Sequence, residues 1–399
     1  MIFIYNIVRI FLYPVIFIIS VFNSKFRKFF FDRLKVKKTD MTKCIWIHLS
    51  SVGELNLSEK LIEKILDKNK KIFITLMTDT GMEAFNKKYL NNPNITAAFF
   101  PLDDYFCIRK IIKKLDIEKL IVIETEIWPN LYNEVSKKAD VIIVNGRISD
   151  KTFKKYMNLR VFISGILNKC KKILVQSELD FIRYEELGVK KDILKVYPNL
   201  KYSIDYPVID EKKCEEIKRN VLQEDRLVIT AGSTRSGEEE VLLEVFKEIN
   251  IDKKYQLLIV PRHLKRIDEI KTLLEGMEYS LYSENKKSEV VIVDKMGILR
   301  DLYQVSDIVF VGGTLVNVGG HSILEPLYYG KVPIIGSHYE NIRDITEKAH
   351  ELDLVRLVND KEELKEAILN MSSENTDTKK FFKKYNKIDE ITEEIFEKV

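Results

Sequence analysis

The segment FVGGTLVNVGGHSILEPLYYG, Phe310 to Gly330, holds Gly312, Gly313, Gly319, Gly320 and Gly330, five of the chain's 15 glycines. It opens on an apolar run of strand character, passes two glycine pairs and continues into a helix-like stretch. Strand, glycine turn and helix in that order are the building unit of a nucleotide-binding α/β sheet. Paired glycines let a backbone approach a ligand closely. The segment predicts a helix whose first turn presents His321 and Ser322, with Glu325 one turn on, placed to accept hydrogen bonds from two adjacent ribose hydroxyls. Neither G-x-G-x-x-G nor G-x4-G-K-[ST] occurs, so dinucleotide enzymes and P-loop NTPases lose support.

The same rhythm extends in both directions. IWIHL, KIFITLM, ITAAFF, KLIVIE, DVIIVN and KKILVQ read as strands of a first domain, and RLVITAG, YQLLIV, EVVIVD, DIVFVGG and VPIIG as strands of a second. Amphipathic stretches lie between them, the pattern of parallel sheets with helices on both faces. Residues 198–222 are polar and poor in periodicity and read as the linker. The expectation is an α/β chain with two Rossmann-like, doubly wound domains facing a cleft, spanning 43–203 and 204–375. Residues 376–399 read as one charged amphipathic helix that returns to the first domain. Ligands of such sheets bind at the carboxyl ends of the strands.

Residues 1–24 are predominantly apolar and reach the roughly 20 residues that a bilayer-spanning helix needs. The basic flank SKFRKFFFDRLKVKK follows, within a juxtamembrane segment 25–42. By the positive-inside tendency the flank stays cytoplasmic, which makes the first segment an N-terminal membrane anchor. No small-residue cleavage site follows, and the charges lie on the wrong side of the apolar core for a signal peptide. The formal net charge is +4, yet residues 1–40 hold eight Lys/Arg against two Asp, so the rest of the chain is slightly acidic. Local basicity of this kind argues against nucleic acid as a partner and for membrane lipids. Cys44, Cys107, Cys170 and Cys214 lack metal-ligand spacing and read as reduced thiols. The five histidines show no ligand spacing either.

Several strand ends carry candidate chemistry. SSVGE places Glu54 just after a strand, where an acid at a helix start is also favoured by the dipole. ETEIWPN sets Glu124 and Glu126 at the next rim, and NGRIS adds Arg147. PNLKYSI brings Lys201 near the linker. In the second domain, AGSTRSGEEE offers the Ser233 and Thr234 hydroxyls and a helix start to an anion. VPRH sets Pro261, Arg262 and His263 at a strand end, a basic pair suited to a phosphate or a base edge.

Read together, WIHLSSVGE, TLMTDTG, FPLDD, ETEIWPN, NGRIS, VQSELDFIRYEELG, NLKYSID, AGSTRSGEEE, VPRH, DKMGILRDLYQVSDIVFVGGTLVNVGGHSILEP and NIR resemble the bacterial 3-deoxy-D-manno-octulosonic acid (Kdo) transferases, in family order and over nearly the whole chain. The resemblance implies a GT-B fold, CMP-Kdo as donor, a lipid A precursor as acceptor, inversion at the anomeric carbon, no metal or other cofactor, and attachment to the cytoplasmic face of the inner membrane. Carried over by motif, Glu54 is the general base, and Glu124 and Lys201 stabilise the transition state. Donor contacts fall on Pro261, Arg262 and His263, on Met296, Gly297 and Ile298, and on Ser322, Ile323, Leu324 and Glu325. Ser233, Thr234, Gly320, His321, Glu126 and Arg147 join them as supporting candidates. Ser322 stands where the family commonly has Asn, and Ile298 where it commonly has an acid. The nearest rival is an enzyme of UDP-sugars with a similar glycine-rich second domain; SVGE and ETEIWPN discriminate against it.

Overall fold

The computed structural model describes residues 1–34, 41, 43–371 and 376–397. The chain forms two compact units, one of Met1–Ile204 with Asn386–Val399, the other of Asp205–Tyr385.

In the first unit, seven strands are β1 (Cys44–Leu49), β2 (Lys71–Leu76), β3 (Ile95–Phe99), β4 (Ile117–Ile123), β5 (Asp140–Gly146), β6 (Lys172–Val175) and β7 (Leu194–Val196). They build one parallel sheet in the order β3-β2-β1-β4-β5-β6-β7. Every residue of β1 is buried. An unbroken apolar strand of this kind is what a sheet covered by helices on both faces requires. Its alternate residues feed two cores: Trp46 packs with Phe73, Ile143 and Leu131, whereas Ile45 and Ile47 pack with Leu61, Ile62 and Ile65 of the helix Glu59–Asp67.

The second unit repeats the plan with β8 (Leu227–Thr234), β9 (Tyr255–Pro261), β10 (Tyr279–Leu281), β11 (Val290–Ile292), β12 (Ile308–Val311), β13 (Pro333–Gly336) and β14 (Arg356–Val358), parallel and ordered β10-β11-β9-β8-β12-β13-β14. The short strands β7, β10 and β14 have no counterpart among the strands expected from the sequence, because three residues carry too little periodicity to announce a strand.

Three expectations change. The stretch read as a linker, 198–222, holds the 3-10 turn Leu200–Ser203 and the helix Glu211–Asn220, whose Ile217 is buried in the second unit. The closing helix is two helices, Lys379–Tyr385 and Ile388–Phe396, parted at Asn386. The first belongs to the second unit and the last to the first. There Ile388, Ile391 and Ile395 enter the core beside β1 and β2, and Glu394 pairs with Lys172 and Lys195. Within 25–42, Ser24–Leu34 is helical, while Lys35, Lys37 and Lys38 lie outside the described residues. All four cysteines are free thiols.

Candidate functional site

In the first sheet the strand order reverses between β1 and β4, and the crevice outside the carboxyl ends at such a reversal is where ligands of open α/β sheets bind. Glu54 follows β1 and Glu124 follows β4, one on each side of that point. Glu54 lies on the helix Val52–Leu57, capped by Ser51, whose hydroxyl accepts the Glu54 N–H. The Glu54 carboxylate turns back to accept the Ser50 N–H at 2.6 Å and the Ser50 hydroxyl. It is 8% exposed. Burial pushes its pKa up, the Ser50 hydrogen bonds oppose this, and the Glu126 charge adds to the rise. The net result is a carboxylate more basic than an ordinary one. A Cβ on Gly53 would meet only Ser51 Oγ at 3.6 Å, so no protein contact demands glycine there.

Glu124 adopts φ +59°, a left-handed conformation that L side chains rarely take. Burial and the Glu54 charge raise its pKa, and Arg147 opposes them. Thr125 ties the two rims together, accepting the Arg147 N–H at 2.9 Å and donating to the Arg147 carbonyl. Glu126 accepts the Trp128 indole N–H at 3.1 Å and lies 3.8 Å from His48 Nε2. Burial alone would raise the Glu126 pKa; His48 and the indole outweigh it and hold the carboxyl below its ordinary value. Lys201 stands on the turn Leu200–Ser203, where Asn199 Oδ1 accepts its N–H and Asn145 Oδ1 accepts that of Leu200. The turn is thereby fixed to the end of β5.

His48 is the residue that sequence reasoning missed. It is fully buried on β1, its Nδ1 3.0 Å from Thr75 Oγ1 on β2, its register partner. Trp46 Nε1 donates to the same Oγ1 at 2.9 Å. His48 Nε2, buried and without a hydrogen-bond partner, faces Glu126. The available signal was Trp46 and His48 two apart in IWIHL, two polar-tipped rings on one face of an apolar strand.

In the second unit the order reverses between β8 and β12, and the glycine-rich loop leaves β12 there. Glu238, fully buried at the start of the helix Glu238–Ile249, holds that loop. Its two oxygens accept the N–H groups of Gly313 at 2.7 Å, Thr314 at 2.9 Å, Leu315 at 3.0 Å and Arg235 at 2.8 Å. A Cβ on Gly312 would lie 2.7 Å from the Ser233 carbonyl oxygen and 2.8 Å from Glu238 Oε2, so glycine is required by contact. Glu238 is thus a latch on the glycine loop.

Arg235 joins His263 at 3.1 Å and His321 at 3.4 Å. Burial, then the charges of Arg235 and Arg262, press the His321 pKa down to about 4. The positive charge of this rim is therefore carried by Arg235 and Arg262, with His263 and His321 pressed toward the neutral imidazole beside them, and Arg262 and His263 are exposed beyond the buried Pro261. Arg235 lies inside AGSTRSGEEE but was not among the expected contacts. Glu325 sits in the first turn of the helix Leu324–Tyr328, which starts later than expected and leaves His321 and Ser322 in the preceding loop. Arg300 Nε lies 3.4 Å from its carboxylate; burial raises its pKa and Arg300 opposes the rise.

Other expected donor contacts are narrower than supposed. Ile323, Leu324 and Ile298 point into the core, so only their backbones are offered to a ligand. Thr234 is fully buried, and its hydroxyl has no hydrogen-bond partner. Ser233 is buried at φ +58°, whereas Met296 is exposed beside Gly297 at φ +85°. Gly320 donates its N–H to the Gly313 carbonyl at 2.7 Å, closing the glycine loop on itself.

A family model described as 3-deoxy-D-manno-octulosonic-acid transferase (kdotransferase) matches residues 26–204. The 3-deoxy-D-manno-octulosonic acid transferase of Haemophilus influenzae is 31% identical over 326 residues, 79% of this chain and 75% of that one. The chain belongs to the Kdo transferase family. A bifunctional glycosyltransferase/methyltransferase of Fusobacterium nucleatum is 41% identical over 364 residues, 88% of this chain; the match spans 56% of that relative's length. Among solved structures, UDP-GlcNAc 2-epimerase of Neisseria meningitidis, 12% identical, superposes with a TM-score of 0.59 over 89% of this Kdo transferase family member and all of the epimerase. That likeness is one of fold, and the fold is GT-B.

Proposed function

We propose that the protein transfers Kdo from CMP-Kdo to a lipid A precursor, with inversion and without a metal, at the cytoplasmic face of the inner membrane. The observation that carries the reading is Glu54: a buried carboxylate of raised pKa at the crevice of the first sheet, in a chain of the Kdo transferase family. The leaving group of CMP-Kdo is already good, so the demand on the protein is to deprotonate the acceptor hydroxyl and to separate charge. Glu54 takes the proton as the acceptor oxygen bonds to C2 of the sugar. The C2–O bond to phosphate breaks on the opposite face, and its electron pair leaves with CMP. Glu124 faces the developing positive charge of the sugar, and Lys201 offsets the negative charge on the leaving phosphate. Arg235 and Arg262 supply the positive charge for the donor's acidic groups, His263 and His321 add neutral hydrogen-bonding rings, and Glu325 accepts the ribose hydroxyls.

The test incubates the full chain with CMP-Kdo and lipid IVA in EDTA and follows CMP release and product mass. Transfer is expected to survive EDTA, and Glu54→Gln is expected to lower kcat by about 10²–10⁴ while CMP-Kdo still binds. Full activity in Glu54→Gln, or abolition by EDTA, would overturn the reading.

A further inference from the structure

The helix Ile2–Phe22 is long and apolar enough to cross a bilayer, yet its two faces are unequal. The face toward the first unit carries Tyr5, Asn6, Arg9 and Tyr13. Asn6 and Asn130 exchange side-chain hydrogen bonds in both directions, at 2.9 and 2.7 Å. The Tyr5 hydroxyl donates at 2.8 Å to Asp103, fully buried, which also accepts the N–H groups of Asn130 and Leu131. Tyr13 donates to Asp104, and Arg9 to the Tyr5 oxygen at 3.3 Å. Ile2 packs against the core of the unit, and Ser20, near the other end, is 2% exposed. Contact with the body of the unit therefore runs from Ile2 to Tyr13, about 17 Å of axis at 1.5 Å per residue.

The opposite face is apolar and open, with Ile4 62%, Phe11 75% and Ile18 58% exposed. Lys25, Arg27 and Lys28 on the next helix are exposed and basic. That helix is itself fastened to the unit by Arg33, 2% exposed, which donates to the Met77 carbonyl at 2.5 Å and lies over the Phe99 ring.

We infer that the helix is a membrane-docking face built into the first unit, lying in the plane of an anionic bilayer surface. To cross a hydrocarbon layer roughly 30 Å thick, the helix would have to leave the unit or drag it in. Leaving takes Tyr5 from Asp103 and Asn6 from Asn130 and exposes Asn6 and Arg9 to acyl chains, where unsatisfied polar groups are costly. An in-plane helix keeps the polar seam intact and sinks its apolar face to the acyl boundary. The basic residues that follow complement anionic headgroups. The motifs FPLDD and WPN thereby acquire a second role, since Asp103, Asp104 and Asn130 hold the membrane face against the sheet that carries Glu54 and Glu124. This deepens the membrane part of the proposed function, and its test reads depth in lipid, independently of whether Kdo is transferred.

Single cysteines replace Ile4, Phe11 and Ile18, one at a time, in the full chain with Cys107→Ser and Cys214→Ser; Cys44 and Cys170 are buried. Each is spin-labelled and mixed with vesicles of phosphatidylcholine and phosphatidylglycerol, and depth is read from collisions with oxygen and a water-soluble nickel chelate. All three sites are outward-facing, so labelling leaves the seam untouched. Positions 4 and 18 are about 21 Å apart along the axis. Equal, shallow depths at the three positions, with binding ~10-fold or more weaker to phosphatidylcholine alone, are the expected result. A maximum depth at position 11 with 4 and 18 shallower, as in a spanning helix, or a steady gradient along the three positions, as in a steeply inserted one, would overturn the inference. Spin–spin broadening without lipid, with no depth signal in vesicles, would assign the face to a second copy of the chain and overturn it equally.

Discussion

At the scale of single residues, the proposed chemistry rests on three acids driven apart by their surroundings. Glu54 and Glu124 are raised, chiefly by burial, while His48 and the Trp128 indole hold Glu126 below the usual range against its own burial. Glu126 therefore stays ionised as the pH falls, and its charge keeps the Glu54 pKa up. A base works only when ionised, so raising its pKa moves the acid limb of the rate profile to higher pH. Glu126→Gln removes that charge, and the acid limb of kcat/KM for transfer is expected to move to lower pH; an unmoved limb would disconnect Glu126 from the base. The residues were legible to unequal degrees. Glu54 and Glu124 lie at recognisable strand ends. His48 acquires its partners only when β2 brings Thr75 alongside β1.

At the scale of elements, each unit fixes one loop at its switch point with buried acid or amide groups. In the second unit Glu238 binds four N–H groups of the β8 and β12 turns, and the space left beside it admits no side chain at Gly312. Gly312→Ala forces the Ser233 backbone or the Glu238 carboxylate to move. It is expected to cost roughly 1–3 kcal/mol, read from the urea midpoint, and to weaken CMP-Kdo binding in calorimetry. A normal affinity would detach the loop from the donor. The glycine richness of 310–330 announced such a loop, whereas the partner that holds it sits more than seventy residues earlier. Nothing local in the EEE run singles out Glu238, because its hydrogen bonds to the glycine loop are made across the sheet.

At the scale of the whole molecule, the chain ends where it began. Ile388–Phe396 returns to the first unit and places Glu394, 8% exposed, between Lys172 and Lys195 at 2.5 and 2.8 Å. Lys172 is itself buried and also donates to the Glu394 carbonyl at 2.8 Å. Glu394→Ala removes one carboxylate from Lys172 and Lys195 while the Glu397 carboxylate and the residue-394 carbonyl still hold Lys172, and is expected to destabilise the first unit by ~1–2 kcal/mol, seen as a lower midpoint for tryptophan fluorescence, since both Trp46 and Trp128 are in that unit. The sequence by itself determined two parallel α/β sheets, the strands that build them and the acids at their ends, because apolar runs, turn residues and motifs are local properties. The tertiary structure alone decided which segments of the interrupted tail join which unit. It also decided that Asp103 and Asn130 clasp the first helix, and that His48 and Glu238 govern groups far from them in the chain. Those outcomes depend on which buried polar atoms find partners, and partners separated by many residues are chosen only when the sheet is assembled.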